Sequence, residues 1–226
     1  DGIRDSVASR GLGDVYKRQY INQLENILKD KQISIFPLGI VVFPGSIQSL
    51  QIFEPRYINM VKRCMTEDEG FVITLLQNNL DNDEIGFAKK GSYVEIVDFN
   101  NLPNGLLGIT VKCIHKAEIK NICKLDDGLN IGEILPIIEP EVDDQAVLAE
   151  HPELLNILSQ LMRHPEIEKL SLDIDFDSAN SVSNHLSGLV PFTGEQKQKL
   201  LEAFDASQRL SILDNLITKL TSSKQV

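Results

Sequence analysis

Residues Ile33 to Met65 read Ile-Ser-Ile-Phe36-Pro37-Leu38-Gly39-Ile-Val-Val-Phe43-Pro44-Gly45-Ser-Ile-Gln-Ser-Leu50-Gln-Ile52-Phe53-Glu54-Pro55-Arg56-Tyr57, followed by Ile58 to Met65. This order predicts a strand, a turn, a second strand and a helix. Ile40, Val41, Val42 and Phe43 are β-branched or aromatic, which predicts a buried strand. Pro44-Gly45 ends it, because proline fixes φ and glycine tolerates the positive φ of a tight turn. Pro55 suits the first position of a helix, where its missing N–H costs nothing, and Glu54 sits at the favourable end of the dipole. Tyr57, Ile58, Val61, Cys64 and Met65 then recur at helical spacing, leaving Lys62 and Arg63 for solvent.

Downstream, Phe71 to Leu76 predicts a buried strand and Asn78 to Glu84 a polar loop. Ile85 to Phe99 predicts further strand, with Gly86 and Gly91 as bulge or turn positions. Leu102-Pro103-Asn104-Gly105 carries an Asn-Gly hairpin signal, and Leu106 to Ile114 is the return strand. From Val111 to Leu125 the odd positions are mostly apolar, whereas Lys112, Lys116, Glu118, Lys120 and Lys124 are even. One face is dry and the other wet, as in an antiparallel sheet covered on one side. Asp126-Asp127-Gly128 makes a turn, and Leu129 to Ile138 is a last strand ended by Pro136 and Pro140. An antiparallel, partly closed β lobe follows.

The acidic run Glu139 to Asp144 marks a lobe boundary and reads as a solvated linker. Beyond it the period becomes helical. Helices are predicted near Pro152 to Leu161, over Ser181 to Leu189, after the capping box Thr193-Gly-Glu-Gln196, and after the cap Asp205-Ala-Ser-Gln208. Leu170, Leu172, Ile174 and Phe176 alternate with polar residues, which predicts a short strand or an extended linker. Upstream, Tyr20 to Asp30 is a short amphipathic helix candidate. Residues 1–19 show no sustained periodicity and resemble translated adapter sequence, the alternative being a disordered leader. The expected division is 1–19 leader, 20–138 β-rich lobe with its leading helix, and 139–226 helical lobe, with the last four residues frayed.

Phe36-Pro37-Leu38, Phe43-Pro44-Gly45 and Phe53-Glu54-Pro55-Arg56-Tyr57, in that order and spacing, resemble the opening of the Lon protease N-terminal domain family. The hairpin through Leu102 to Val111, the stretch Asp127 to Pro136, and the helical residues Leu189 to Pro191, Lys197 to Leu201 and Arg209 to Leu220 are similar to later parts of that domain. Cys113 departs from the pattern, which has glycine there. The resemblance implies an α+β fold, a PUA-like antiparallel β lobe forming a partly closed barrel, followed by a C-terminal helical lobe. It also implies a stand-alone bacterial form, without the ATPase and peptidase modules.

The chemistry in the sequence agrees with a binding role. There is no G-x-x-x-x-G-K-[ST] loop for ATP phosphates, and the chain ends where the N-terminal domain would end, which predicts no enzyme activity. A net charge of −11 repels phosphate backbones at long range, so nucleic acid is a poor default partner. Three cysteines without C-x-x-C spacing, no membrane-length apolar run and no signal-peptide pattern predict a cytoplasmic protein. Cys113, His115 and Cys123 lack the four-ligand pattern of structural zinc, so neither metal nor cofactor is expected.

The resemblance implies binding of unfolded or exposed polypeptide segments, with a groove between the two lobes as the site. The alternatives are an RNA-binding PUA-like module and a small-molecule-binding protein. Phe36, Pro37, Leu38, Phe43, Pro44, Gly45, Phe53, Glu54, Pro55, Arg56 and Tyr57 are read as structural, with Phe53 and Tyr57 in the core. Lys112, Lys116 and Lys120 form a stripe that could contact an acidic peptide or RNA, and is otherwise a solvated face.

Overall fold

The structure, a computed structural model, describes residues 31–77, 86–103, 105–170 and 172–222. The helix expected over Tyr20 to Asp30, the leader, the loop at Asn78 to Glu84 and the last four residues lie outside them. Strands β1 (Ile33–Leu38), β2 (Ile47–Ile52), β3 (Phe71–Leu75), β4 (Lys90–Asn101), β5 (Leu107–Lys124) and β6 (Asn130–Ile137) come first, interrupted by α1 (Pro55–Glu67). Helices α2 (Asp144–Glu150), α3 (Pro152–Met162), α4 (Pro165–Glu168), α5 (Ala179–Leu189), α6 (Gly194–Leu201) and α7 (Ala206–Ser222) follow. The fold is α+β.

The six strands form one sheet in the order β2-β5-β4-β3-β1-β6, and β6 also pairs with β5. Strand β5 has 18 residues and makes this possible. Its first half lies against β2 and β4, and its second half against β6. The sheet therefore curls into a partial ring rather than a closed barrel. One pairing departs from the antiparallel expectation: β1 runs parallel to β3, because a long crossover through β2 and α1 carries the chain from one to the other.

The opening stretch needs one correction. Ile40 to Phe43 is not a strand; β1 ends at Leu38 and the following eight residues leave the sheet. The alternation in this loop is nonetheless real. Val41 and Phe43 enter the helical-lobe core, whereas Val42 enters the β-lobe core. A segment lying between two cores satisfies the same apolar pattern as a strand buried on both faces. Pro44-Gly45 makes the turn, with Gly45 at φ +83°.

Helix α1 begins at Pro55 and buries Tyr57, Met60, Val61 and Cys64 against the sheet. Met60 takes the inner position expected of Met65, which is exposed, and Arg63 turns back to donate to the Ser34 hydroxyl. Phe36 packs on Tyr57 with ring centroids 4.0 Å apart. At Gly91 there is no bulge. A side chain there would meet the Ile73 carbonyl at 2.5 Å, so glycine permits close approach of β4 to β3. The register shifts lie instead after Tyr93 and after Ile96.

On β5 the odd positions from Ile109 through Ile119 are buried, after which a register shift with Asn121 at φ 48° leaves Cys123 exposed. Pro136 does not end β6 but sits inside it, opposite Ala117. The Leu170 to Phe176 alternation forms no strand among its described residues: Leu170 and Phe176 lie in turns, and 172–175 is irregular. The Thr193–Gln196 capping box forms reciprocally, and Asp205 caps α7 by accepting from the Gln208 amide at 2.8 Å.

The acidic run is no solvated linker. Glu139 is buried and accepts from both Lys116 and Arg209. Asp143 caps α2, and Asp144 accepts from the Ala179 amide at 2.8 Å, tying α2 to α5.

Candidate functional site

The segment 39–48, the linker at Leu170 and Leu172, and helices α5 and α6 enclose a cleft of about 290 Å³. Its walls include Ile40, Val41, Phe43, Ile47, Leu189 and Phe192, and its polar groups include Ser46, Gln48, His185 and Lys197. The walls follow from the alternation described above. Burying Val41 and Phe43 in the helical core turns Ile40 outward, where it is 37% exposed.

One side of the cleft is a sheet edge. Among the described residues strand β2 pairs only with β5, and Cys113 N–H donates to the Ser46 carbonyl at 3.0 Å. Backbone groups alternate in direction along a strand. Even-numbered residues of β2 therefore face β5, and the N–H and C=O groups of Ile47, Ser49 and Gln51 point away from the sheet. Ile47, the first of these, also lines the cleft. An extended chain laid along this edge gains backbone hydrogen bonds and reaches the apolar walls with one side chain.

His185 is 5% exposed and lines the cleft. Its Nδ1 lies 2.8 Å from the Ser181 carbonyl, so Nδ1 carries the proton and donates. Nε2 is buried without a hydrogen-bond partner. Lys197 is half-buried, donates to the Gly188 carbonyl at 2.7 Å, and burial holds its ammonium below the usual lysine range.

The motif residues take up other positions. Arg56 pairs with Glu54 at 2.7 Å, lies 4.7 Å from the Tyr57 ring centroid, and donates to the Gly128 carbonyl at 2.9 Å. It thus ties the start of α1 to the β5–β6 turn, and Tyr57 is buried beneath it. Phe53 is not core, being 65% exposed at the end of β2. Phe43 and Gly45 alone of the motifs approach the cleft. Phe43 lines it, and a side chain at Gly45 would come within 3.4 Å of the His185 ring.

The lysine stripe also needs correction. Lys112 and Lys120 are exposed, but Lys116 is only 3% exposed. The helical lobe covers the even face of β5 at this point. Lys116 donates to the carbonyls of Leu201 at 2.8 Å and Ala203 at 3.2 Å as well as to Glu139. It is a bolt between lobes, not a contact for a partner. Cys113 and His115 share a buried face, where His115 stacks on Tyr93 at 5.0 Å and its Nδ1 donates to the Lys116 carbonyl. Among the described residues, no group of three or more His, Cys, Asp or Glu side chains is placed to hold a metal ion.

Sequence reasoning missed His185, Lys197 and Arg209. A signal existed for two of them. His185 falls between Val182 and Leu189, and Arg209 between Ala206 and Leu213, on the buried stripes of α5 and α7. Polar residues on an apolar stripe mark buried networks.

Residues 32–219 match the family model of the ATP-dependent protease La (LON) substrate-binding domain. The chain belongs to the Lon substrate-binding domain family. It is 25% identical over 200 residues to the Lon protease of Heliobacterium modesticaldum, covering 84% of this chain and 24% of that protein. With the Lon protease of Halothermothrix orenii it shares 26% identity over 188 residues, again 24% of that protein's length. The chain thus spans about a quarter of these curated Lon relatives. A crystal structure of a Lon N-terminal domain protein from Xanthomonas campestris superposes with a TM-score of 0.64 at 25% identity, over 81% of this chain and 96% of that one. The N-terminal domain of a Mycobacterium avium complex Lon protease gives 0.62 at 18% identity, over 82% and 97%. Homology to this family supports a substrate-binding module, and the matched region is the Lon substrate-binding domain. No helix among the described residues is long and apolar enough to cross a membrane.

Proposed function

We propose that this Lon-type domain binds exposed apolar segments of unfolded polypeptides, without itself cutting them, in the cytoplasm. The observation that carries the reading is the juxtaposition of an apolar cleft with an outer edge of β2 that no other described strand pairs. Ile47 belongs to both. Extended polypeptide satisfies each requirement: backbone groups for the edge and an apolar side chain for the walls.

The test is fluorescence anisotropy of labelled, reduced and carboxymethylated casein titrated with the domain. Saturable binding is expected. Substituting Ile47→Lys, at a position 41% exposed, is expected to weaken it at least about tenfold while the thermal midpoint holds. Absence of saturation, or equal binding by the variant, contradicts the reading.

A further inference from the structure

We infer that the cleft takes the C-terminal residue of a polypeptide, one with an apolar side chain and a free α-carboxylate; this rests on the polypeptide-binding reading above. Three observations point to that occupant. First, Nε2 of His185, a residue of the cleft wall, is buried without a partner, and in the neutral imidazole the Nδ1 donation to Ser181 leaves Nε2 an acceptor for an N–H donor. Second, Lys197 lines the same cleft, and among the described residues its ammonium donates to the Gly188 carbonyl and has no carboxylate partner. Third, the remaining wall is apolar, through Ile40, Val41, Leu189 and Phe192.

A chain terminus presents these three features on one residue. Its amide N–H suits the His185 acceptor, its carboxylate suits the Lys197 ammonium, and its side chain suits the apolar wall. Gly194, the first residue of α6, also lines the cleft, and the positive end of the helix dipole favours the same carboxylate. An internal peptide segment has the amide but no charge for Lys197. A fatty acid has the carboxylate but no donor for His185. The combination of amide donor, carboxylate and apolar side chain is therefore particular to the terminus.

The experiment compares two fluorescein-labelled hexapeptides, each ending in alanine-leucine, one with a free α-carboxylate and one with an α-carboxamide. The acid is expected to bind at least about tenfold more tightly, because a charge-assisted contact is lost in the amide. Lys197→Gln is expected to abolish the preference, and Lys197→Arg to retain part of it. Equal affinity of acid and amide, no binding of either, or an undiminished preference in Lys197→Gln overturns the inference. Should Lys197→Gln fail to fold, the acid-to-amide ratio on the unaltered chain decides alone. Saturable casein binding with equal acid and amide affinities sinks this inference and spares the broader one. Loss of casein binding with the acid preference intact does the reverse.

Discussion

Glu139, which begins the acidic run after β6, and Arg209, 70 residues later in α7, form a buried ion pair at the junction of the β lobe and the helical lobe. Lys116 joins the same carboxylate from β5. Arg209 is 0% exposed and also donates to Ser183 Oγ at 2.9 Å and Asn180 Oδ1 at 3.0 Å. The cleft lies between segments that these two lobes supply. Its shape depends on this junction.

Replacing Glu139 by glutamine leaves two buried cations facing a neutral group. Removing one member of a buried charge network costs about 3–5 kcal/mol. The exposed pair Glu118–Lys120, at 3.5 Å, supplies the control, where Glu118→Gln is expected to cost less than about 1 kcal/mol. Urea unfolding of the two variants checks this. A cost for Glu139→Gln no greater than the control contradicts the role given to Glu139.

The three cysteines differ in environment. Cys123 is exposed, whereas burial pushes the Cys113 thiol up to about 12 and the Cys64 thiol up to about 11. At pH 8 one thiol, Cys123, is expected to react rapidly with Ellman's reagent, and the other two only on unfolding. Two or three fast thiols in the folded chain contradict this.

The same shifts set the alkaline behaviour. The folded thiols hold their protons above the unfolded value of 9.0, so their stabilisation is complete below pH 9 and is lost as pH rises toward 11 and 12. Lys116 and Lys197, whose ammonium groups burial lowers, shift stability in the opposite direction over this range. A Cys113→Ala variant isolates the thiol contribution. Its stability is expected to fall less steeply than that of the unaltered chain between pH 9 and 11, measured by urea midpoints. Parallel slopes contradict the assignment.

Two glycines give opposite outcomes. A side chain at Gly70 would collide with the Val94 carbonyl and meet the Tyr93 ring at 2.6 Å, whereas at Gly39 no described residue has an atom within 4 Å. Gly70→Ala is expected to cost about 1–3 kcal/mol or more by overpacking. Gly39→Ala is expected to stay within about 0.5 kcal/mol, or to gain slightly by restricting the unfolded chain. Thermal unfolding distinguishes them.

These contrasts also mark what a reader of the sequence can and cannot obtain. Pro55 at the first helical position, the Thr193–Gln196 capping box and Gly105 at φ +77° in the β4–β5 hairpin are local signals, and each acts within a few residues of itself. Ile40 to Phe43 misleads because apolarity reports burial but not what does the burying. Two cores share that segment. Lys116 misleads for the related reason that parity gives the face of a strand, and only tertiary packing decides whether that face is wet. The cleft was legible as a groove between lobes by resemblance. Lys197 was not, because α6 meets the 39–48 segment only in the folded chain, and the apolar stripe of α5 marks His185 as buried without showing that it lines the cleft.

The most direct test of the account is backbone amide exchange of the domain with and without saturating carboxymethylated casein. Outward amides of β2, those of Ile47, Ser49 and Gln51, are expected to slow by at least about tenfold on binding, while the amides of Asp126 and Asp127, exposed in the β5–β6 turn and outside the cleft lining, exchange unchanged. Protection confined to other surfaces, with β2 exchanging at its free rate, contradicts the placement of the polypeptide at this edge.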